Sequence, residues 1–317
     1  MARVAAIDCG TNSIRLLVAD VTVRDDGTAW LRDVHREMRV VRLGEGVDAT
    51  GMLSAAALAR TKAALADYTA IAVRKGVERA RMVATSAARD AGNRDDFFAM
   101  TEQVLGVPAE LITGDEEARL SFAGAVAELD PADGPFLVAD VGGGSTELVL
   151  GTWDGRKVDV TAARSVDIGC VRLTERCLPS DPPTPDEIDN ATRVATDVLA
   201  TAFAAVPVER ARTFIGVAGT VTTLSAVDMG LAEYDPEILH LSRMSLDAVR
   251  ATTAALLAMN RRERAAIGSM HPGRVDVIGG GAIVVRTIAE ELAKRAGITE
   301  LVVSEHDILD GIALSLA

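Results

Sequence analysis

The stretch IDCGTNSIRLLVA, close to the N-terminus, returns in altered form in the middle of the chain as ADVGGGSTELVLG. Asp8 falls on Asp140, Gly10 on Gly142, Ser13 on Ser145 and Leu16 on Leu148. Each copy reads as strand, D-x-G-x-x-S turn, strand. A repeated supersecondary unit constrains a fold more than any single element does. The expectation is two related domains, each opened by such a hairpin. Facing each other, they would bring both acidic hairpins to a central cleft.

Length and patterning agree. At 317 residues, two domains is the natural expectation, and 49% hydrophobic residues can fill two cores. Strand and helix signals alternate, which means an α/β chain. RVAAIDCG and IRLLVADV read as strands, with a third near RVVRLG. Ser54 caps a long helix reaching about Arg74. ARMVATSAAR reads as a strand leading into a loop, Asn93 as the cap of a further helix, and PAELI as a strand. In TGDEEARLSFAGAVAEL, Thr113 and Glu116 have capping-box spacing. DPADGP is a breaker-rich connection. The domain change is placed in this region, at about residues 120–135, giving domains 1–125 and 126–317, with the terminal helix at about 305–317 packing back on the first. Thr184, Pro185 and Glu187 mark another helix start. TFIGVAGTVTTLSAV and VDVIGGGAIVVRTIAEEL each read as strand, glycine turn, helix.

Composition excludes several classes. A net charge of −13 and only 3% aromatic residues disfavour nucleic acid as a partner. No apolar run is long enough to span a membrane, and Asp8 breaks the only N-terminal candidate for a signal peptide. Cys9, Cys170 and Cys177 are an odd set without CxxC spacing, so they read as free thiols of a cytoplasmic protein. The four histidines form no metal-ligand pattern.

The chemistry rests on several short stretches. In DVGGGSTE, glycines permit close backbone approach, and successive N–H groups can form an anion-binding concavity. Gly142, Gly143, Gly144 and Ser145 are the candidate phosphate contacts, and Asp140 is placed to bind Mg²⁺ directly or through water. The competing reading is a plain hairpin with a glycine turn. Asn12 and Ser13 of DCGTNS are the equivalent candidates in the first copy; on their own they could simply make a turn. GVAGTVTTL, with Gly219 and Thr220, and VIGGGAIV, with Gly280, place glycines before helices, whose N-termini attract anions; close packing is the alternative. Neither a Walker lysine nor a GxGxxG motif is present. The acids of GDEEAR could complement a helix dipole or supply an ionised base for water. Arg89, after VATSA, suits bidentate phosphate contact and also reads as a surface arginine.

Taken in order, IDCGTNSIRLLV, RLGEGVDATGMLS, ATSAARDAGN, GDEEARLSFAG, DVGGGSTEL, GVAGTVTTL and VIGGGAIV resemble the exopolyphosphatase and guanosine pentaphosphate phosphohydrolase family, over nearly the whole chain. That family sits in the actin, sugar-kinase and heat-shock-chaperone superfamily. The resemblance implies two ribonuclease-H-like (actin-like ATPase) domains. It also implies Mg²⁺-dependent release of terminal phosphate from polyphosphate, or of the 5′ phosphate from guanosine pentaphosphate. Glu117 matches the family's catalytic base, Asp140 and Glu147 its metal-associated acids, and Arg89 a phosphate-contacting arginine. Asn12 and Gly142–Ser145 match its phosphate-loop positions. Long members carry an additional helical region of the HD type that this sequence lacks, and they use it for dimer contacts. Chain-length preference and homodimer formation are therefore open. Asp310–Gly311 stands where many members have an arginine–glutamate–glycine turn. The rival readings are a small-molecule kinase of the same superfamily and a non-enzymatic, nucleotide-binding assembly protein.

Overall fold

A computed structural model describes residues 2–25 and 27–317. By packing, the chain forms two compact units. The first runs through Ala127 and includes Asp154–Val158 and Asp307–Ala317; the second comprises Glu128–Trp153 and Asp159–His306.

The first unit holds strands β1 (Ala2–Cys9), β2 (Ser13–Val23), β3 (Ala29–Val40), β4 (Arg79–Ala84) and β5 (Glu110–Leu111) in the order 3-2-1-4-5. β1 to β3 form an antiparallel meander, and β4 and β5 add in parallel. Its helices are α1 (Val47–Thr50), α2 (Ala55–Arg74), α3 (Ser86–Asp90), α4 (Arg94–Leu105) and α5 (Gly114–Val126), with α13 (Ile308–Leu314) returning from the chain end. β1 is apolar along most of its length because it is covered on both sides. The period-2 alternation of a strand sends Ala5, Ile7 and Cys9 into one core with Leu65, Tyr68 and Phe97. Val4 and Ala6 enter a second core with Ile112, Ile308, Leu309 and Ile312. Asp8 has the parity of Val4 and Ala6, so it points to the α13 side.

The second unit holds β6 (Phe136–Val141), β7 (Thr146–Trp153), β8 (Val158–Val166), β9 (Thr213–Val217), β10 (Arg243–Ser245) and β11 (Glu300–Val303), in the order 10-11-9-6-7-8. Its helices are α6 (Cys170–Cys177), α7 (Pro185–Ala205), α8 (Ala218–Asp228), α9 (Pro236–Leu239), α10 (Leu246–Ala258), α11 (Arg261–Ala265) and α12 (Ile278–Ala296). Read from β8 through β7, β6 and β9 to β11, the sheet repeats the 3-2-1-4-5 order of the first unit. The sequence echo is thus a repeat of topology.

Several expectations change in detail. The third strand is Ala29–Val40, ending on the first two residues of RVVRLG and lying mostly ahead of it. It is a charged, half-exposed outer strand without the apolar run that would advertise it, and Val41 and Arg42 have already left it to donate to the Asn12 carbonyl. After β4 the chain makes the short helix Ser86–Asp90, where a loop was expected. Asn93 precedes α4 but makes no cap bond, because its side chain is spent on the N–H and C=O of Leu53. In VDVIGGG no strand forms: Val275–Val277 make a turn, and the three glycines lie after it, inside the start of α12. A Cβ on Gly280 would come within 2.8 Å of the Cys170 carbonyl, so glycine there serves helix-on-helix contact with α6. The Ser54, Thr113 and Thr184 caps form as read, the last as a full capping box.

Candidate active site

The two repeated hairpins close identically. In the first, Asp8 pairs with Arg15, Cys9 with Ile14, and Gly10 N–H donates to Ser13 O at 3.0 Å. In the second, Asp140 pairs with Glu147, Val141 with Thr146, and Gly142 N–H donates to Ser145 O at 3.1 Å. Residues directly opposite in an antiparallel pair share a face. Each hairpin therefore carries two charged side chains side by side, and what differs is the partner of the aspartate.

In the first unit that partner is an arginine. Arg15 donates to Asp8 Oδ2 through Nε (3.0 Å) and Nη2 (2.7 Å), and its Nη1 bonds Asp307. Burial pushes the Asp8 carboxyl up, opposed by Arg15. At Asp307 burial also works against the charge, but Arg15 and the Leu309 N–H outweigh it and hold the group below the usual carboxylate range. Asp8 Oδ1 and Thr11 Oγ1 are buried without a hydrogen-bond partner. In the second unit the partner is Glu147, so two carboxylates, 7% and 1% exposed, lie together on one face. Ser165 Oγ donates to Glu147 Oε1 at 2.6 Å.

The glycine loop between Asp140 and Glu147 is held from one side. Gly142 O accepts from Cys170 N (2.9 Å), Gly143 O from Val171 N (2.9 Å) and Arg172 N (3.1 Å), and Gly144 O from Arg172 Nε (2.8 Å). The three backbone donors are the otherwise unpaired N–H groups at the start of α6, and the Arg172 side chain adds the fourth bond. In a trans peptide the C=O and the next N–H point in opposite directions. With three consecutive carbonyls directed at α6, the amides of Gly143, Gly144 and Ser145 are directed away from it together. Gly169 permits the approach: a Cβ there would lie 2.6 Å from Gly142 O and from the Gly143 carbonyl. Thr146 Oγ1 donates to Ile168 O at 2.6 Å and fixes the same seam. The α6 start was not picked out from the sequence; DIGCVR, a glycine immediately before a helix with an arginine in its first turn, was the available signal.

Glu117 sits in the first turn of α5, 8% exposed. Thr113 caps that helix by accepting from Glu116 N. Arg89, from α3, donates through Nη1 to Glu117 Oε2 at 2.7 Å and to Ile112 O at 3.1 Å. The structure thus joins two residues read separately in the sequence, and Arg89 is no loose surface arginine. The backbone of Asn12 accepts from Val41 and Arg42, which ties the first loop to the segment after β3. Gly219, in the first turn of α8, is covered by Arg274, whose Nη1 donates to Gly219 O and Thr223 Oγ1, both at 2.8 Å. Ala218 before it takes a left-handed φ of 69°, and Thr220 is buried. Glu128, His240 and His306 also meet. There His240 Nδ1 faces the Glu305 N–H at 3.3 Å, which leaves the proton on Nε2 to bond Glu128 at 3.2 Å. That is the arrangement of a hydrogen-bonded cluster; a metal-ligating imidazole would present a bare nitrogen to the ion.

These features decide the comparison with known proteins. The sequence profile of the Ppx/GppA phosphatase family matches residues 21–316. The chain belongs to the Ppx/GppA phosphatase family. It is 58% identical to exopolyphosphatase 2 of Mycobacterium tuberculosis, over 100% of this chain and 99% of that one. A crystal structure described as an exopolyphosphatase-like protein superposes with a TM-score of 0.93 at 43% identity, covering 100% of this chain and 98% of that one. The Aquifex aeolicus PPX-GPPA enzyme does so with a TM-score of 0.79 at 31% identity, covering 99% of each. The fold is accordingly the two-domain, actin-like α/β fold of that family, and the protein is a phosphatase of the hydrolase class.

Proposed function

We propose that the protein is an exopolyphosphatase that releases terminal orthophosphate from linear polyphosphate, with guanosine pentaphosphate as a second substrate cleaved at its 5′ end. The observation carrying this reading is the orientation of the glycine loop. Three amides turned out together, beside two buried carboxylates, suit a phosphate chain with its counter-cation.

The donor set fits a hard divalent cation: Asp140 and Glu147 offer oxygens from adjacent strands, and Ser165 already orients the glutamate. We assign Mg²⁺ to these two acids. When bound, it would neutralise phosphate charge and polarise the phosphoryl oxygens. In the first hairpin Arg15 takes the place of Glu147, which argues against a second cation there.

In the reaction the amides of Gly143, Gly144 and Ser145, with the Ser145 hydroxyl, hold oxygens of the terminal phosphate. Asn12, Ser13, Gly219 and Thr220 supply further polar contacts along the chain. The unsatisfied Thr11 Oγ1, a hydroxyl able to donate, supports an anionic ligand at the first loop, since such an atom costs about 1–3 kcal/mol when left alone. Glu117 takes the proton of an attacking water. Arg89 holds the Glu117 carboxylate in place and adds positive charge where the transition state gains negative charge. Most of the rate gain in phosphoryl transfer comes from such positioning and electrostatics. The buried, unpaired Cys9, Cys170 and Cys177 support a reducing, cytoplasmic setting, and no described helix is long and apolar enough to cross a membrane.

The test is incubation with Mg²⁺ and polyphosphate, guanosine pentaphosphate, or ATP with acceptor alcohols. Orthophosphate released one unit at a time from polyphosphate ends supports the proposal. Phosphate transfer from ATP to an acceptor, with polyphosphate untouched, would replace it with a kinase.

A further inference from the structure

The C-terminal helix α13 meets α5 backbone to backbone. A Cβ on Gly311 would overlap the Leu120 carbonyl, and one on Gly124 would overlap the Asp307 carbonyl and lie 3.0 Å from Gly311 N. The obstacles are main-chain atoms, so no side-chain rotation relieves them. Leu120 is one turn beyond Glu117 on α5. The start of α13 is anchored independently. Asp307 and Asp310 form its capping box, with Leu309 N–H donating to Asp307 Oδ1 and Asp307 N–H to Asp310 Oδ2, both at 3.0 Å. Outward, Asp307 pairs with Arg15 of β2, and Asp310 accepts from Arg36 of β3, with Nη1 to Oδ2 at 3.2 Å. Asp310 is 1% exposed and Asp307 3%.

We infer that α13 is the element that positions Glu117: the Asp307 and Asp310 ion pairs lock it to the first hairpin and β3, and the Gly311–Gly124 contact sets the seat of α5. Asp310 and Gly311 act through that contact as positioning residues. The same Arg15 that pairs with Asp8 therefore ties the first hairpin loop to the helix bearing the base. Unit 1 registers its two candidate contributions to the reaction, the Asn12–Ser13 loop and Glu117, against one short helix. The inference rests on Glu117 being the base.

The experiment compares kcat and KM for polyphosphate in Gly311→Ala, Asp310→Asn, Glu117→Gln and Phe97→Leu, each with a thermal melt. Phe97 lies in the core on the opposite face of the sheet and serves as a destabilised control. A displacement near 1 Å at a reacting group costs up to about 100-fold. The expected result is a kcat at least about tenfold lower in Gly311→Ala, with KM within about threefold, while Phe97→Leu keeps its kcat. If Gly311→Ala does not fold, Asp310→Asn carries the same expectation, since it keeps the shape and breaks the two-oxygen Arg36 ion pair while its remaining oxygen can still accept the Asp307 N–H of the capping box. A folded Gly311→Ala with normal kcat overturns the inference, and so does an equal fall in the control. Retained activity in Glu117→Gln instead overturns the base assignment, which separates the two failures.

Discussion

Replacing Glu117 by Gln removes the capacity to accept a proton while keeping the shape of the side chain. The structure bounds what else is lost. Arg89 Nη1 lies 2.7 Å from Oε2, and a glutamine carbonyl oxygen can occupy that position. The contact falls from an ion pair to a hydrogen bond between the guanidinium and a neutral carbonyl, a loss of about 1 kcal/mol given that the Arg89 side chain is 22% exposed. Such a loss lowers the melting temperature of a domain of this size by about 2–4 °C. The rate loss is of another order: a general base is worth ~10²–10⁴-fold, or about 3–5 kcal/mol of barrier. The assay is initial-rate phosphate release over a range of polyphosphate concentrations at saturating Mg²⁺, with a melt and a polymer-binding titration on the same preparation. A folded variant that binds polyphosphate normally, with kcat reduced at least about 100-fold, is expected. Glu117→Ala should be less stable than Glu117→Gln, because it leaves Arg89 with only the Ile112 carbonyl of its two acceptors. A Glu117→Gln kcat within about threefold of the parent would refute the reasoning outright, because no proton acceptor remains at that position.

Three further outcomes follow from the same geometry. Asp140→Asn should raise the Mg²⁺ concentration for half-maximal activity by about tenfold or more, equivalent to about 1.4 kcal/mol of ion binding, and an unchanged metal titration would remove Asp140 from the ion's donors. Gly169→Ala should displace the Gly142–Gly143 carbonyls and cut kcat/KM by about tenfold or more, with about 1–3 kcal/mol of destabilisation; normal kinetics in a folded variant would show that the amide orientation does not matter. Asp20, hydrogen-bonded by Arg3 and Arg32, has its carboxyl lowered to about 2, so its stabilising contribution is full above the unfolded value of ~3.9 and is lost as pH falls toward 2. Melts of Asp20→Asn should accordingly show a deficit of about 1 kcal/mol that is constant from pH 5 to 8 and shrinks below pH 4, whereas a deficit that grows on acidification would contradict that sign.

The parts legible in the sequence were those that local chemistry dictates. Helix caps at Ser54, Thr113 and Thr184 were visible because a hydroxyl facing an N–H two or three residues on is a short-range matter. The repeat was visible because both hairpins need an acid, a glycine and a serine at fixed offsets. Of the strand Ala29–Val40 only the end near RVVRLG was legible, because the rest of its pattern lacks the apolar alternation that marks a strand. The glycines of α12 were misread for a different reason. Glycine that allows a turn and glycine that allows two helices to touch look alike until the second helix, here α6, is known. Contacts across long separations were hidden for the same cause: nothing near Gly142 announces that Cys170, Val171 and Arg172 will hold its loop, and nothing near Arg15 announces Asp307.

The divergence of the two hairpins is the sharper lesson. One backbone device, closed the same way, carries Asp–Arg in one unit and Asp–Glu in the other. An aspartate beside an arginine is already neutralised, and here the pair extends to a second buried acid, Asp307. That chemistry favours fixing structure, because separating a buried pair costs about 3–5 kcal/mol. An aspartate beside a glutamate is the reverse case. Two buried like charges raise each other's energy until a cation or a proton joins them. On the proposed reading, a single change of partner at one register position divides the labour: the first hairpin, through Arg15 and Asp307, braces α13 and with it the seat of α5, and the second is the one assigned the ion. On this argument Arg15→Glu would not create a second metal-binding hairpin. It would place a third acid against Asp8 and Asp307 and remove the arginine that pairs with both, so unit 1 would keep only the Asp310–Arg36 half of its brace before it gained a ligand.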